Sequence, residues 1–405
     1  MRSRSPIRRR LKLIVSAAVV ILVLGALAQY LRPIPSIRLV RTVSTQVRIP
    51  GSTPTLPWPT TGEATVAVEG VGTVGSYGGS MPEAIGSVAK VMTALLILRA
   101  HPLGVGGSGP EITVTSQDVA TYQGDKVAGD SVVPVATGEQ LSELQALQAL
   151  LIPSGDNIAA LLAQWDAGSE SAFVAQMNTE AAHLGLHHTH YADASGVSPA
   201  TVSTAVDQTR LAEVAMANPT FASIVALPQV TLPVAGLTYN VNSQVTHDSF
   251  IGIKTGWTPA AGGCFLFAAQ RPVDGRSTTV VGAVLGQGGV SQLGNAINAA
   301  VALVNSTFSA LATYTVVPRD GEVASLVQPW AASLPIPATK SVTLVGWPGL
   351  VLRTVLTSRT LTDRVASGQV VGEFRLYSGQ FARTITLQAP ASVAPPSVRW
   401  RLTRL

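Results

Sequence analysis

Cysteine is almost absent from this sequence, and its scarcity excludes several kinds of site. The single cysteine, Cys264, cannot form an intramolecular disulfide bond, even in an oxidising compartment. It lies in an apolar run over 264–267 that predicts a buried strand, so we interpret it as a core residue rather than a nucleophile. Three histidines cluster at His187, His188 and His190, but nothing of ligand type stands around them at the spacing of a zinc site. No metal or other cofactor is therefore expected.

Charged residues are also scarce, at 12% of 405 residues, and they are unevenly distributed. Residues 1–48 contain ten lysines and arginines and no acid, whereas residues 49–314 contain 7 basic and 18 acidic residues. Residues 315–405 return to a basic excess, 10 against 4. The middle region has no basic stripe with interleaved aromatic residues, so we expect no nucleic-acid partner. The basic end predicts contact with an anionic polymer or lipid headgroups, or only a solvated surface.

Long apolar runs are missing except near the N-terminus. Residues 13–27 are apolar and follow a strongly basic start, a pattern that predicts a secretory signal or a single signal-anchor. Ala26 and Ala28 form a small-x-small cleavage pattern, while the run extended to Leu31 is long enough to span a bilayer. Both alternatives stay open over residues 1–31. In either case the remainder is expected outside the cytoplasm, anchored in the membrane or secreted.

The rest of the chain divides into three parts by its proline content and its periodicity. Six prolines over 32–60 predict an extended stalk outside the membrane. Residues 61–312 predict an α+β domain whose sheet takes strands from both ends of the sequence. Its expected helices cover about 87–99, 138–151, a second helix that follows 152–157 and runs through Leu161, 169–184, 204–217 and 290–312. Its expected strands cover 64–68, 73–77, 111–115, 131–135, 249–254, 262–269 and 278–285. Short β-like runs over 313–405 predict a separate small all-β domain.

One serine–lysine pair, Ser87 and Lys90, stands where an apolar helix pattern begins. Residues three apart project from one face of a helix, so the amine can reach the hydroxyl. A serine hydroxyl is a poor nucleophile unless a base removes its proton, and a lysine is that base only where burial or a second cation favours its uncharged form. Taken alone, such a pair is far more typical of a helix cap followed by a solvated lysine, so the catalytic interpretation depends on the segments downstream.

A second segment offers groups that bind a carboxylate. The apolar strand over 250–253 leads into Lys254, Thr255, Gly256 and Trp257, a combination much rarer by chance than a serine–lysine pair. A cation and a hydroxyl at a strand edge can hold a substrate carboxylate. Gly256 lets the backbone of a ligand approach closely, as in binding by strand addition.

A third segment lies on a turn between two predicted helices and reads Ser154, Gly155, Asp156 and Asn157. It offers a hydroxyl together with a carboxylate or a carboxamide. The same residue types also cap helices, so the segment by itself is no proof of a site.

The order of these segments is that of penicillin-binding proteins and serine β-lactamases: Ser-x-x-Lys at 87–90, a serine triplet at 154–156 and Lys-Thr-Gly at 254–256. Over about 60–310 the chain resembles the low-molecular-mass penicillin-binding proteins, the serine-type D-alanyl-D-alanine carboxypeptidases. The resemblance implies the α+β fold of that family, an antiparallel sheet with helices on both sides. It also implies that residues 313–405 form the kind of domain that some members carry after the catalytic one.

The resemblance further implies catalytic roles for three residues. Ser87 would be acylated by the D-Ala-D-Ala end of a peptidoglycan stem peptide, or by a β-lactam inhibitor, with Lys90 as its base. Ser154 would pass the proton to the leaving D-alanine.

Substrate binding would fall to the strand edge. Lys254 and Thr255 would hold the terminal carboxylate, with Gly256 beside them. The backbone N–H groups of Ser87 and Trp257 would form the oxyanion hole.

One position departs from the family pattern. The third residue of the serine triplet is usually asparagine, and here it is Asp156, followed by Asn157. A carboxylate can only accept hydrogen bonds and would hold Lys90 in its charged form, which opposes the role of a base. We therefore expect either that Asn157 takes over through a local shift or that activity is reduced.

Two other functions remain as alternatives. A β-lactamase needs fast deacylation, yet the Glu-x-x-Leu-Asn loop of class A enzymes is missing between the triplet and Lys254. A catalytically weak, wall-binding scaffold that keeps the fold is favoured only by Asp156.

Overall fold

The structure is a computed structural model that describes residues 6–79 and 81–404. In chain order its helices are α1 (Pro6–Leu31), α2 (Lys90–Ala100), α3 (Ser116–Ala128), α4 (Glu143–Leu151), α5 (Asp156–Ala167), α6 (Glu170–His183), α7 (Ala205–Met216), α8 (Pro219–Val225), α9 (Gln292–Ala310) and α10 (Val398–Thr403). A 3₁₀ turn, Gly86–Ala89, precedes α2.

The strands are β1 (Arg38–Arg41), β2 (Gln46–Arg48), β3 (Glu63–Val68), β4 (Gly72–Tyr77), β5 (Glu83–Ala84), β6 (Glu111–Thr113), β7 (Gln140–Ser142), β8 (Val202–Ser203), β9 (Gln229–Leu232), β10 (Gly236–Tyr239), β11 (Phe250–Thr258), β12 (Gly262–Val273), β13 (Arg276–Gln287), β14 (Ala312–Val317), β15 (Glu322–Val327), β16 (Leu334–Pro337), β17 (Val342–Gly346), β18 (Val351–Ser358), β19 (Val370–Ser378) and β20 (Phe381–Gln388).

The site depends on a five-stranded antiparallel sheet in the order β11-β12-β13-β3-β4. Successive residues of a strand point to opposite faces, and here both faces are buried. Leu266 and Ala268 of β12 face a cluster formed with α2, α4, α5 and α7, while Phe265 and Phe267 face a cluster formed with α9. Helices therefore cover both sides of the sheet, as the resemblance implies, and β11 is left as an edge strand.

Most of the predicted elements in the first 312 residues are present, but the strand predicted over 131–135 is wrong. That segment has no regular structure and is fixed instead by side chains of α5. Asp156 Oδ2 accepts the backbone N–H of Ser131 at 2.9 Å, and Asn157 bonds both the N–H and the carbonyl of Val133. Its apolar residues are buried because the loop packs on a helix, so their sequence pattern resembles that of a buried strand.

The segment over 32–60 differs from the extended stalk that its prolines predict. Its strand β1 pairs antiparallel with β15, and β2 pairs antiparallel with β18, so the segment completes two sheets of the C-terminal region. Ile49 and Leu56 are buried in the cluster on the α9 side of the central sheet. The prolines occupy the irregular stretches between these contacts, where no strand partner needs their missing N–H.

The C-terminal region is β-rich, as predicted, and consists of three small sheets: β2-β18-β19-β20, β1-β15-β16 and β14-β17. Its own core includes Val323, Leu326, Phe374 and Ile385. A second set of its side chains is buried against the central sheet instead, in the same cluster as Phe265 and α9: Leu344, Val345, Trp347, Leu350 and Leu352.

Among the described residues, α1 is the one helix long and apolar enough, over Ile7–Leu31, to cross a membrane by length and composition. Its C-terminal end lies beside α10, where the guanidinium of Arg401 stands 5.1 Å from the centre of the Tyr30 ring.

Candidate active site

Ser87 lies in the tight turn that opens α2. The turn begins at Gly86, whose φ of 54° falls in the left-handed region that glycine adopts without strain. Ser87 is partly exposed, whereas Lys90, one turn further along, is fully buried. The sequence prediction that the two side chains share one face is correct, because Lys90 Nζ donates a hydrogen bond to Ser87 Oγ at 2.7 Å.

Lys90 Nζ is surrounded by oxygen acceptors from three other parts of the chain. It lies 2.5 Å from Asp156 Oδ1, 3.2 Å from the backbone carbonyl oxygen of Ser195 and 3.4 Å from Ser154 Oγ. An ammonium group has three hydrogens to donate, so four acceptors exceed its capacity. The weakest contact, to Ser154, is the one that a proton relay would use.

The edge strand β11 runs directly over the Ser87 turn. A Cβ atom at Gly256 would stand 3.0 Å from the backbone nitrogen of Ser87 and 2.9 Å from the carbonyl oxygen of Ile85. Glycine is therefore needed at 256 for the approach of the strand to the turn, and not only for a ligand. Likewise, a Cβ on Gly86 would stand 3.2 Å from the backbone nitrogen of Trp257, so the N–H groups of Ser87 and Trp257 lie close together.

Lys254 is buried below the strand edge, with only 1% of its surface exposed. Its Nζ donates to the carbonyl oxygen of Thr255 at 2.9 Å. Burial lowers the pKa of Lys254 well below its usual range; the charge of Lys90 lowers it further, and the carboxylate of Asp156 partly opposes both effects. Two lysines and one carboxylate thus share a buried site that excludes water.

The wall opposite β11 is the turn that opens α5. Ser154 has a φ of 71°, an uncommon conformation for a residue with a side chain, and is almost fully buried. Asp156 is the first residue of α5 and links Lys90 to the backbone of Ser131, as described above. The amide oxygen and nitrogen of Asn157 both hydrogen-bond the backbone of Val133, and neither contacts Lys90, so Asn157 does not replace Asp156.

The groups meet at a cleft of 130 Å³. Its lining consists of Ser87, Ser131, Ser154, Val241, Thr255, Gly256, Trp257 and Leu293. Three of these, Ser131, Val241 and Leu293, were not predicted. They come from loops and a helix end with no motif of their own, and only the fold brings them to the cleft. The indole nitrogen of Trp257 donates to Gln292 Oε1 at 2.5 Å, so the start of α9 holds the outer rim.

Cys264 lies on β12 beside this strand edge and is fully buried. Burial raises the pKa of its thiol to about 12, so at neutral pH it stays a protonated core residue, as expected from the sequence.

Proteins of similar sequence or fold include a D-alanyl-D-alanine carboxypeptidase, a DD-transpeptidase and a penicillin-binding protein. A Streptomyces D-alanyl-D-alanine carboxypeptidase is 33% identical over 218 residues, which span 49% of this chain and 71% of the relative. The crystal structure of a Streptomyces DD-transpeptidase superimposes with a TM-score of 0.56 at 27% identity, covering 64% of this chain and all of that one. Penicillin-binding protein 5 of Haemophilus influenzae shares the fold at 16% identity, with a TM-score of 0.61, and covers 85% of this chain.

The sequence profile of the D-alanyl-D-alanine carboxypeptidase family matches residues 79–287, about half of the chain and the whole of the cleft except Leu293. This match confirms the resemblance drawn from the three motifs. The chain therefore belongs to the D-alanyl-D-alanine carboxypeptidase family.

Proposed function

We propose that this protein is a serine carboxypeptidase that removes the terminal D-alanine from peptidoglycan stem peptides through an acyl-enzyme on Ser87. The observation that carries the proposal is the 2.7 Å contact between Lys90 Nζ and Ser87 Oγ, directly beneath the strand edge of Thr255 and Trp257. A nucleophile, a base within hydrogen-bond reach and a pair of backbone donors are the parts that acyl transfer requires.

In the proposed acylation, Ser87 Oγ attacks the carbonyl carbon of the penultimate D-alanine while Lys90 takes the hydroxyl proton. The backbone N–H groups of Ser87 and Trp257 stabilise the oxyanion, which exists only in the tetrahedral state. As the C–N bond breaks, Ser154 delivers a proton to the leaving amine and regains one from Lys90, 3.4 Å away. Water then attacks the acyl-enzyme ester, and its proton returns along the same groups.

Substrate orientation is proposed to depend on the terminal carboxylate. Thr255 offers its hydroxyl at the cleft, and Lys254 supplies positive potential from below. Burial alone disfavours the ammonium form of Lys254, but a substrate carboxylate bound at Thr255 favours it, and their attraction is stronger at a buried site than at the surface. A β-lactam places its own carboxylate and carbonyl in a similar arrangement, so penicillin is the expected inhibitor.

The direct test is the mass of the protein after incubation with benzylpenicillin. We expect a covalent adduct on Ser87 and release of D-alanine from a synthetic stem peptide, both lost in Ser87→Ala. An adduct that persists in Ser87→Ala would refute the assignment of the nucleophile. Steady turnover of a chromogenic cephalosporin at ordinary enzyme rates would favour a β-lactamase, and acylation without D-alanine release would favour the scaffold alternative.

Transfer to an amine is a second candidate reaction, because one of the similar structures is that of a DD-transpeptidase. Both reactions share the acyl-enzyme and differ in which nucleophile removes the acyl group. Adding a glycine-containing acceptor peptide to the D-alanine release assay separates them: a new peptide bond to the acceptor indicates transfer.

We also propose how the chain is placed in the cell. The basic start and α1 would hold the protein in the membrane, with catalytic residues 61–312 and β-rich residues 313–405 on the extracytoplasmic side. Cleavage after Ala28 would instead secrete it. Mass measurement of the N-terminus of the purified envelope protein distinguishes the two.

A further inference from the structure

The four-stranded sheet of the C-terminal region has one face that the rest of the molecule does not cover. Alternate residues of its strands, among them Leu352, Phe374, Leu376 and Ile385, are buried in the core on the inner side. The residues between them point outward and are mostly exposed. This outer face is polar and lies far along the sequence from the catalytic motifs.

Three arginines form a diagonal line across this face, one on each of three neighbouring strands. Arg48 of β2 is opposite Val351, while Arg353, two residues further along β18, is opposite Tyr377. Arg375 of β19 is two residues beyond that row. Each step is therefore one strand across and two residues along, which separates neighbouring arginines by about 8 Å. We call Arg48, Arg353 and Arg375 the arginine diagonal.

The charges of the arginine diagonal are not neutralised within the protein. In the part of the chain that the structure describes, none of the three guanidinium groups has a carboxylate within 4 Å. Arg48 donates only to the carbonyl oxygen of Gly349, and the Arg375 guanidinium lies 5.8 Å from the centre of the Tyr377 ring. All three side chains are exposed, so they keep most of their donors free.

A groove of 390 Å³ lies at one end of the diagonal. Arg375 and Tyr377 form part of its wall, together with the hydroxyl-bearing Thr357 and Thr384 and the carboxylate of Glu373. Arg375 suits an anion, while the threonine hydroxyls and the acceptor oxygens of Glu373 suit the hydroxyl groups of a polymer; the Glu373 carboxylate itself repels an anion placed next to it. The face is unsuited to a bilayer, because Val355 is the one large apolar residue that it exposes near the groove.

We infer that the arginine diagonal and its groove bind an extended polyanionic polymer, with the guanidinium groups pairing with successive phosphate or carboxylate groups. Arginine matches both anions in a two-pronged geometry, and three aligned sites engage one polymer chain together. Two of the three arginines, Arg353 and Arg375, belong to the basic excess of residues 315–405. The surface is separate from the cleft at Ser87, so the inference does not depend on which reaction the cleft performs.

The test uses the full chain in detergent and two labelled probes, linear polyphosphate and polygalacturonate. We expect binding by fluorescence anisotropy, weakened at least tenfold when Arg48→Gln, Arg353→Gln and Arg375→Gln are combined, and a slope of log Kd against log salt reduced by two to three. The matched control combines Arg319→Gln, Arg364→Gln and Arg399→Gln, which remove the same charge from exposed positions outside the four-stranded sheet. It should change affinity less than threefold.

Binding of one probe but not the other identifies the anion as phosphate or carboxylate, and binding of both supports the shared chemistry. Equal losses in the two triple variants would overturn the inference, because binding would then follow net charge alone. Absence of binding to both probes, or binding only to anionic phospholipid vesicles, would also overturn it. Labelling of Ser87 by fluorescent penicillin is measured in every variant. It tests folding and the catalytic proposal separately from polymer binding.

Discussion

At the residue scale, the least ordinary feature of the cleft is the carboxylate that lies 2.5 Å from its only hydrogen-bonded amine, Lys90. An ionised Asp156 stabilises the ammonium form of its partner, and a base must be unprotonated before it can act. The carboxylate also holds the loop at Ser131. Asp156 is therefore expected to favour a well-ordered site at the expense of the rate of acylation.

Replacing Asp156 by asparagine should raise the rate of acylation. An amide keeps an acceptor for the Ser131 N–H and removes the negative charge beside Lys90, and we expect a gain of about tenfold, equivalent to about 1.4 kcal/mol. The measurement is the second-order rate constant for fluorescent penicillin. Asp130→Asn is the control, since Asp130 is a neighbouring carboxylate without a hydrogen bond to Lys90. Slower acylation in Asp156→Asn would contradict this account and show that the carboxylate promotes acylation.

Lys254 should make the protein less stable at neutral pH than an apolar residue of its size would. Its pKa is lowered in the folded chain, mainly by burial, whereas the unfolded chain keeps the ordinary value. Below the pKa of Lys254 in the folded chain, its burial lowers the free energy of unfolding by the full amount. Between that pKa and the pKa in the unfolded chain, the unfolded chain binds one more proton, so stability rises with pH. Above the unfolded pKa the destabilisation is gone.

Lys254→Met should therefore stabilise the protein by about 1 kcal/mol near pH 7, with a smaller gain near pH 10. Because the entropy of unfolding scales with the 405 residues of the chain, this gain raises Tm by only about 1 °C. Substrate binding should weaken in the same variant, since the positive potential below the carboxylate is lost. Lys126→Met, at an exposed lysine, should leave Tm unchanged across this range. A gain in Tm that does not vary with pH would mean that packing, and not charge, sets the cost.

At the scale of elements, the contact between β11 and the Ser87 turn determines the geometry of the oxyanion hole. Gly256→Ala would place a methyl group 3.0 Å from the Ser87 nitrogen and 2.9 Å from the Ile85 oxygen, both backbone atoms that cannot rotate away. The strand must shift, and a displacement of this order costs about 10- to 100-fold in acylation rate. Gly288→Ala is the control, because its Cβ would meet no atom within 4 Å. Equal rates in the two variants would contradict this account.

The elements near the site show what sequence patterns can and cannot predict. The Ser87 helix, α9 and the strands β11 to β13 have clear periodicity, and the three motifs were found because each combines uncommon residues. The helix α3 was missed because its exposed face is polar, although the capping box of Thr115 and Asp118 marks its start. The loop over 131–135 was predicted as a strand because its apolar residues are buried, and nothing local reveals that Asp156 and Asn157 satisfy its backbone.

The same limit explains the prediction for Asn157. Sequence order alone made it a plausible replacement for the usual asparagine, one position away. In the helix, adjacent residues point about 100° apart, so Asn157 faces Val133 while Asp156 faces Lys90. The roles of neighbouring residues could be separated only once α5 was placed against both partners.

At the scale of the whole molecule, the boundaries drawn from the sequence describe the order of the parts but not their dependence on each other. Residues 32–60 contribute β1 and β2 to the C-terminal sheets. In turn, Trp347 and Leu352 of the C-terminal region are buried in the cluster on the α9 side of the central sheet. Each part buries apolar surface that another part would expose. Sequence patterns could not predict this arrangement, because strand partners 280 or more residues apart carry no local signal of their pairing.

Removing residues 313–405 should therefore destabilise the catalytic part as well as delete the β-rich one. The truncated chain would expose the buried face now covered by Trp347 and Leu352 and leave β1 and β2 without partners, and a large apolar patch of this kind leads to aggregation. In the intact chain, Trp347→Ala should lower the free energy of unfolding by about 3–5 kcal/mol and lower Tm. Calorimetry should still show one cooperative transition, because both parts share the cluster that contains Trp347. Trp400→Ala, at a partly exposed tryptophan outside that cluster, should have a much smaller effect. A soluble 1–312 chain that reacts with penicillin at the full-length rate would instead show that the two parts fold independently, as the sequence alone suggests.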